Sequence, residues 1–284
     1  MMDTIPADWP NKSFSRRIQT GDLSWHVQVA GSSPIHVLLL HGTGSSAHSW
    51  GILFSELAKK YTVVAPDLPG HGYTKNFGNK SLNLDDLAKK LSELREALNI
   101  SYFDHIIGHS AGATLALSYT IHNQQPKTII GLNPSLISLP SFYHQFIAPF
   151  INPIVTSSFF TSILSDLLPL TKTIDRLIDS TNTSLSPEKR ERYKSLFRNS
   201  DHLNGSMSFM AGTDIDRLLS RCQHIQSKLT FIVTKDDGWI PVKNLLQVIH
   251  QFFPKAEVIE VVGGHLFHEA NEALALELIE KAII

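Results

Sequence analysis

Two rhythms of apolar and polar positions alternate along the chain. Short apolar runs bounded by Gly, Pro, Asn or Asp predict strands over residues 16–20, 24–30, 36–40, 62–66, 103–108, 128–132, 229–234 and 257–262. Longer stretches with apolar residues at helical spacing predict helices over 50–59, 85–98, 111–122, 242–253 and 271–283. The first two strands meet at Gly21-Asp22, a tight-turn pair, and predict an antiparallel hairpin. From there strand and helix alternate, which predicts a mostly parallel eight-stranded sheet with helices on both faces.

The alternation fails between residues 135 and 212. That stretch is Ser/Thr/Pro-rich, helical in parts and without a convincing buried strand. It predicts a helical lid inserted after the sixth strand, so that 1–134 and 213–284 form one core domain and 135–212 a cap. From Thr128 to Ser165 there is no Asp, Glu, Lys or Arg, and phenylalanines cluster there. Pro149 and Pro153 interrupt the run, which makes it a poor membrane span.

Residues 108–112 read Gly-His-Ser-Ala-Gly, between the fifth strand and the third helix. A sharp strand-to-helix turn crowds the backbone, so small residues are needed two before and two after the exposed serine. Gly108 and Gly112 meet that demand, and Ser110 is the candidate nucleophile. A serine hydroxyl needs a base, and the base needs an orienting acid. In sites built on this turn, the acid and the histidine follow the serine in that order. The loop after the seventh strand reads Lys235-Asp236-Asp237-Gly238-Trp239-Ile240-Pro241 and offers either Asp236 or Asp237. The loop after the last strand reads Gly263-Gly264-His265, with His268 as a competitor three residues on. All these loops leave carboxyl ends of strands, so their side chains can converge on one sheet edge.

An acyl-transfer site also needs donors for the oxyanion, each worth roughly 3–4 kcal/mol. The backbone N–H of Ala111 is one candidate. The other is Thr43 N–H, in the His41-Gly42-Thr43-Gly44 loop after the third strand. His109, Trp239, Phe142, Phe146 and Phe150 are candidate pocket residues, although His109 beside the nucleophile reads more readily as packing. The turn Asp67-Leu68-Pro69-Gly70-His71-Gly72 reads as structural, with Asp67 bonding local backbone.

Bulk properties narrow the function further. The chain has 284 residues, 42% hydrophobic and 18% charged, with a formal charge of −1. These values fit a soluble globular enzyme and supply no basic field for nucleic acid. One cysteine, Cys222, excludes an internal disulfide, suits a reducing compartment and reads as an incidental thiol. The polar N-terminus lacks the apolar core of a secretory signal. Phosphate-binding and zinc motifs are absent from the sequence, so no cofactor and no metal are expected.

Taken together, the HGTG, DLPGHG, GHSAG and late GGH motifs resemble the α/β-hydrolase superfamily over essentially the whole chain. The resemblance implies a Ser110–Asp237–His265 triad, because that superfamily usually places the acid four residues before a proline. Residues 7–11, 25–28, 41–50 and Gly131-Leu132-Asn133-Pro134 resemble one branch, the magnesium-chelatase accessory proteins of bacteriochlorophyll-synthesising bacteria. That branch implies a role around magnesium-porphyrin synthesis and possible partners among the proteins of that pathway.

The expectation is a cytoplasmic, cofactor-independent serine esterase acting on an apolar small molecule through an acyl-enzyme. The serine excludes a haloalkane dehalogenase, which needs a carboxylate there. A carbon–carbon bond hydrolase or a cofactor-free peroxidase would use the same triad. The reading from another class is a non-catalytic accessory factor that holds a porphyrin intermediate or docks on a chelatase. Contact of the lid with a membrane surface is the least favoured expectation, since the run lacks flanking Lys/Arg.

Overall fold

The computed structural model describes residues 4–75, 83–137 and 172–284. Its eight strands are β1 (Ser15–Thr20), β2 (Leu23–Ala30), β3 (His36–Leu40), β4 (Thr62–Pro66), β5 (His105–His109), β6 (Thr128–Leu132), β7 (Lys228–Thr234) and β8 (Glu257–Val261). They form one sheet in the order β1-β2-β4-β3-β5-β6-β7-β8. β2 is antiparallel to both β1 and β4, and every pairing from β4 to β8 is parallel. The fold class read from the alternation is the one observed. The fifth strand differs in its bounds: it begins at His105, and Phe103 is buried in the turn that precedes it.

The buried strands point alternate side chains to opposite faces, and each face has its own core. Leu38, Leu40, Val64, Ile106, Ile129 and Phe231 pack with α2 (Leu84–Ala97), α3 (Ala111–His122) and α8 (Val242–Phe252). Val37, Leu39, Val63, Ile107, Ile130 and Ile232 pack with α1 (Gly51–Leu57) and α9 (Glu272–Ile283). α3 is buried on nearly every side, which suits its almost wholly apolar or small sequence.

Within 135–212, the described residues form α4 (Thr173–Asp179), α5 (Pro187–Phe197) and α6 (Ser200–Ala211), and no strand. α5 is charged over most of its length, yet Tyr193, Leu196 and Phe197 share a buried face at i, i+3, i+4 spacing. A further helix, α7 (Ile215–Arg221), precedes β7 and is not anticipated by the apolar pattern. It is only seven residues long, and its burial rests on Ile215, Leu218 and Leu219. Cys222 follows it into the core, although its sequence neighbourhood is polar, and burial pushes its thiol up to about 12. Among the described residues no helix is long and apolar enough to cross a membrane.

Candidate active site

The site gathers at the carboxyl edge of the parallel strands, where the loops after β3, β5, β6, β7 and β8 converge. Ser110 sits between β5 and α3 with φ 52° and ψ −119°, a left-handed conformation costly for a residue with a Cβ. The turn closes only because its neighbours are small. A Cβ on Gly108 would lie 2.4 Å from the Ala113 nitrogen, and one on Gly112 would lie 2.1 Å from the Leu40 oxygen. The Ser110 amide donates to the Leu132 carbonyl at 2.9 Å, which ties the turn to β6.

His265 Nε2 is 3.0 Å from Ser110 Oγ, and its Nδ1 is 2.7 Å from Asp237 Oδ2. The carboxylate can only accept from Nδ1–H, so Nε2 is left to accept the serine proton. The other carboxylate oxygen of Asp237 accepts the Trp239 and Ile240 amides, each at 2.8 Å. This turn fixes which of the two aspartates faces inward. The Asp236 side chain is exposed, and the structure brings only Asp237 to the imidazole. The indole of Trp239 lies over the His265 ring, with centroids 5.2 Å apart and planes at 32°. Its Nε1–H donates to Ser180 Oγ at 2.9 Å.

Two histidines need separate placing. His268 is fully buried, stacked 4.2 Å from His109, and does not reach Asp237. His109 is corrected as a pocket residue. It is buried beneath the site, and its Nε2 is 2.9 Å from the His265 carbonyl oxygen, to which it can only donate. Being next to Ser110 at the strand end, its side chain projects away from the hydroxyl and supports the histidine loop from below. Phe142, Phe146 and Phe150 lie outside the described residues.

The Thr43 and Ala111 amides have no hydrogen-bond acceptor among the described residues. Thr43 follows a carbonyl that is tightly held. Gly42 O accepts from His41 Nδ1–H at 2.8 Å and from the Ser45 amide at 3.2 Å. The tautomer of His41 is set by its other nitrogen, which accepts the Leu68 amide at 2.9 Å. In a trans peptide the C=O and N–H point in opposite directions, so Thr43 N–H faces away from these bonds. Asp67 accepts the Ala47 and Tyr73 amides and the His26 ring, and a Cβ at Gly72 would meet its carboxylate at 2.1 Å.

Several positions that shape the site escape sequence reading. Asn133, with φ 43° after β6, donates to the His265 carbonyl at 3.0 Å and accepts the Thr234 amide at 2.8 Å. The segment 180–183 holds the loops from the other side. The His265 amide donates to Thr181 O at 2.8 Å, and the Leu266 amide to Thr183 Oγ1 at 2.9 Å. Gly238 and Gly264 are glycines because Cβ atoms there would lie 2.1 Å from Ser180 O and 2.2 Å from Asn182 O. Tyr193 donates to Glu269 at 2.6 Å, and burial raises that carboxyl to about 7. The Asn133-Pro134 pair marks a turn after β6 but not the distant partners of Asn133, and the contacts of 180–193 leave no signal.

Among the described residues no cluster of three or more His, Cys, Asp or Glu is arranged for a metal ion. The geometry can deliver a serine oxygen to an electrophilic carbon while a neutral imidazole takes its proton.

A model of the alpha/beta hydrolase fold family matches residues 35–272, and the chain belongs to that family. Its relatives include the "Magnesium-chelatase 30 kDa subunit" of Rhodobacter capsulatus, 29% identical over 276 residues and covering 93% of each chain. The "Protein phosphatase methylesterase 1" of Bos taurus is 34% identical over 121 residues, which is 40% of this chain and 31% of that protein. The crystal structure of an alpha/beta hydrolase fold protein from Burkholderia ambifaria superposes with a TM-score of 0.72 at 17% identity, over 94% of this chain and 99% of that one.

Proposed function

We propose that the protein is a cofactor-independent serine hydrolase of the esterase type, with Ser110, His265 and Asp237 as its triad. The observation that carries this reading is the unbroken hydrogen-bond chain from Ser110 Oγ through the His265 ring to Asp237. Ser110 Oγ attacks the ester carbonyl carbon as its proton passes to His265 Nε2. Asp237 stabilises the imidazolium, and the carbonyl oxygen, now an anion, is met by Thr43 and Ala111 N–H. The C–O bond to the alcohol then breaks, the alcohol takes the proton from His265, and Ser110 is left acylated. Water attacks the acyl carbon with its proton going to His265, and the acid leaves as Ser110 recovers the proton.

The substrate is an apolar ester, and residues 135–212 are the cap that receives it. Support comes from the uncharged run 128–165 and from Trp239, whose indole stands over the catalytic imidazole. The likeness to a methylesterase fits ester chemistry. The likeness to a magnesium-chelatase subunit along nearly the whole chain supports a reaction beside magnesium-porphyrin synthesis. It also favours a second reading, an accessory factor that binds a porphyrin intermediate or the chelatase without turnover. Reaction with a fluorophosphonate followed by mapping of the adduct separates the two. Labelling at Ser110, with turnover of medium-chain esters above acetyl esters, is expected. An unreactive Ser110 would leave the accessory reading in its place, and a preference for acetyl esters over every bulkier one would remove the apolar substrate.

A further inference from the structure

We propose that His202, carried by the inserted helices, is a positioning residue for the oxyanion hole, acting on Thr43 N–H through two linked peptide units. His202 starts the first turns of α6 and is buried in an aromatic slot, edge-on to Phe197 and His71. Its Nδ1 accepts the Gly72 amide at 3.0 Å, so its proton must sit on Nε2. Nε2–H then donates to Gly44 O at 3.2 Å. That carbonyl belongs to the Gly44–Ser45 peptide, whose N–H donates to Gly42 O at 3.2 Å. Gly42 O in turn belongs to the peptide whose other end is the free Thr43 N–H. The chain therefore runs from imidazole to peptide to peptide, and each bond aligns and polarises the next.

Two further contacts keep this chain from relaxing. Gly44 has φ 73°, and a Cβ there would lie 3.1 Å from the Phe197 ring, so the end of α5 presses directly on the loop. Gly205, one α6 turn beyond His202, lets the helix backbone meet Gly70, where a Cβ would lie 2.0 Å from the carbonyl oxygen. Burial holds the His202 pKa down at about 4, so the ring stays neutral and keeps this tautomer at ordinary pH. The insertion thus supplies part of the frame that aims the oxyanion donor, besides covering the substrate.

The inference rests on the serine-hydrolase reading, and the experiment separates the two. Wild type, His202→Phe and His202→Gln are reacted with a fluorophosphonate, whose phosphoryl oxygen occupies the oxyanion position as Ser110 Oγ displaces fluoride. Phe fills the aromatic slot and deletes both hydrogen bonds, whereas Gln restores a donor. The limiting rate of the Phe variant should fall about 10-fold, less than for loss of a direct donor, with the half-saturating probe concentration unchanged. The Gln variant should recover most of that loss. Wild-type-rate labelling of His202→Phe overturns the inference alone, as does a loss seen only in the half-saturating concentration. Failure of wild type to label at Ser110 brings down both. An NMR measurement on wild type holds even if the Phe variant does not fold. Phenylboronic acid should shift both the Thr43 amide and the His202 Hε2 resonance, and a shifted Thr43 beside an unmoved His202 overturns the proposal.

Discussion

The nucleophile turn and the histidine loop solve the same problem in opposite ways. Ser110 is held by its own neighbourhood: Gly108 and Gly112 clear the space, α3 starts at once, and β6 beside it takes the Ser110 amide. His265 is held by distant residues. Its carbonyl is met by His109 and Asn133, and its amide by Thr181 of the insertion. The Thr43 loop resembles the histidine loop, since His41, Phe197 and His202 all brace it. A strained local turn tolerates little variation within a few residues, but it folds with the sheet. A loop braced from outside depends on the docking of 172–211, so damage far from the triad should reach His265 and Thr43 before Ser110.

The largest effect tests the turn itself. Ser110→Ala should lower kcat by about 10³–10⁶-fold with thermal stability near wild type, as activity assays and calorimetry on the same preparation will read. Relief of the left-handed strain would be slight, because alanine also carries a Cβ. Near-normal turnover by this variant would remove the serine from the mechanism and with it the contrast between the two regions.

Next comes the acid that orients His265. Asp237→Asn keeps the shape but presents an amide to the imidazole, which favours the wrong tautomer. A kcat loss of roughly 10⁴-fold is expected. Asp236→Asn, whose side chain faces solvent, should stay within about 2-fold, a surface substitution worth less than ~0.5 kcal/mol. Equal losses in steady-state assays would show that the inward-facing turn of 237–240 is not what selects the acid.

The Ser110 turn and the loops that carry Asp237 and His265 were legible in the sequence because their determinants are local. A serine between small residues, at a strand-to-helix junction, is a contiguous pattern. The acid and the histidine stand just beyond strands that the apolar runs already mark. The same runs anticipated β3 to β7, since parallel strands buried on both faces have to be apolar, and the Gly21-Asp22 turn marked the β1–β2 hairpin. The braces were not legible. α5 reads as a charged surface helix until its Tyr193–Phe197 face is seen against the core. His202 and Asn133 are polar residues whose meaning lies in partners more than a hundred positions away. Fourteen histidines in a chain of this size gave no hint that several are buried bricks instead of surface residues.

A smaller substitution sharpens the dependence on the insertion. Thr183→Val keeps the shape of the side chain but leaves the buried Leu266 amide without its acceptor. The cost should be about 1–3 kcal/mol of stability, read by urea unfolding. Because Leu266 adjoins His265, kcat should fall roughly 10-fold through misplacement of the base, while the Ser110 turn is untouched. Unchanged kcat with lowered stability would mean that the histidine loop keeps its geometry without this brace.

The mildest expected effect is on pH, and it also falls on the braced side of the site. Burial lowers the pKa of His41, His48, His71, His105, His109, His202 and His268, with His48 and His268 at about 3 and His202 at about 4. In the unfolded chain each of these would titrate near 6.5. Between the folded and the unfolded values the unfolded state binds more protons, so stability is full above about 6.5 and declines as pH falls toward 4. Glu269 works the other way: raised to about 7, it binds its proton in the folded state and favours folding as pH drops from 7 toward 4.5. One carboxyl opposes seven imidazoles, so the histidines set the sign. The midpoint of thermal unfolding should drop by several degrees between pH 7 and pH 5. His202→Phe removes one of these seven groups and should flatten that slope even if its midpoint at pH 7 is lower. A pH profile as steep in His202→Phe as in wild type would mean that the ring charges without cost to its bond from the Gly72 amide, and the acid sensitivity would then belong to other residues.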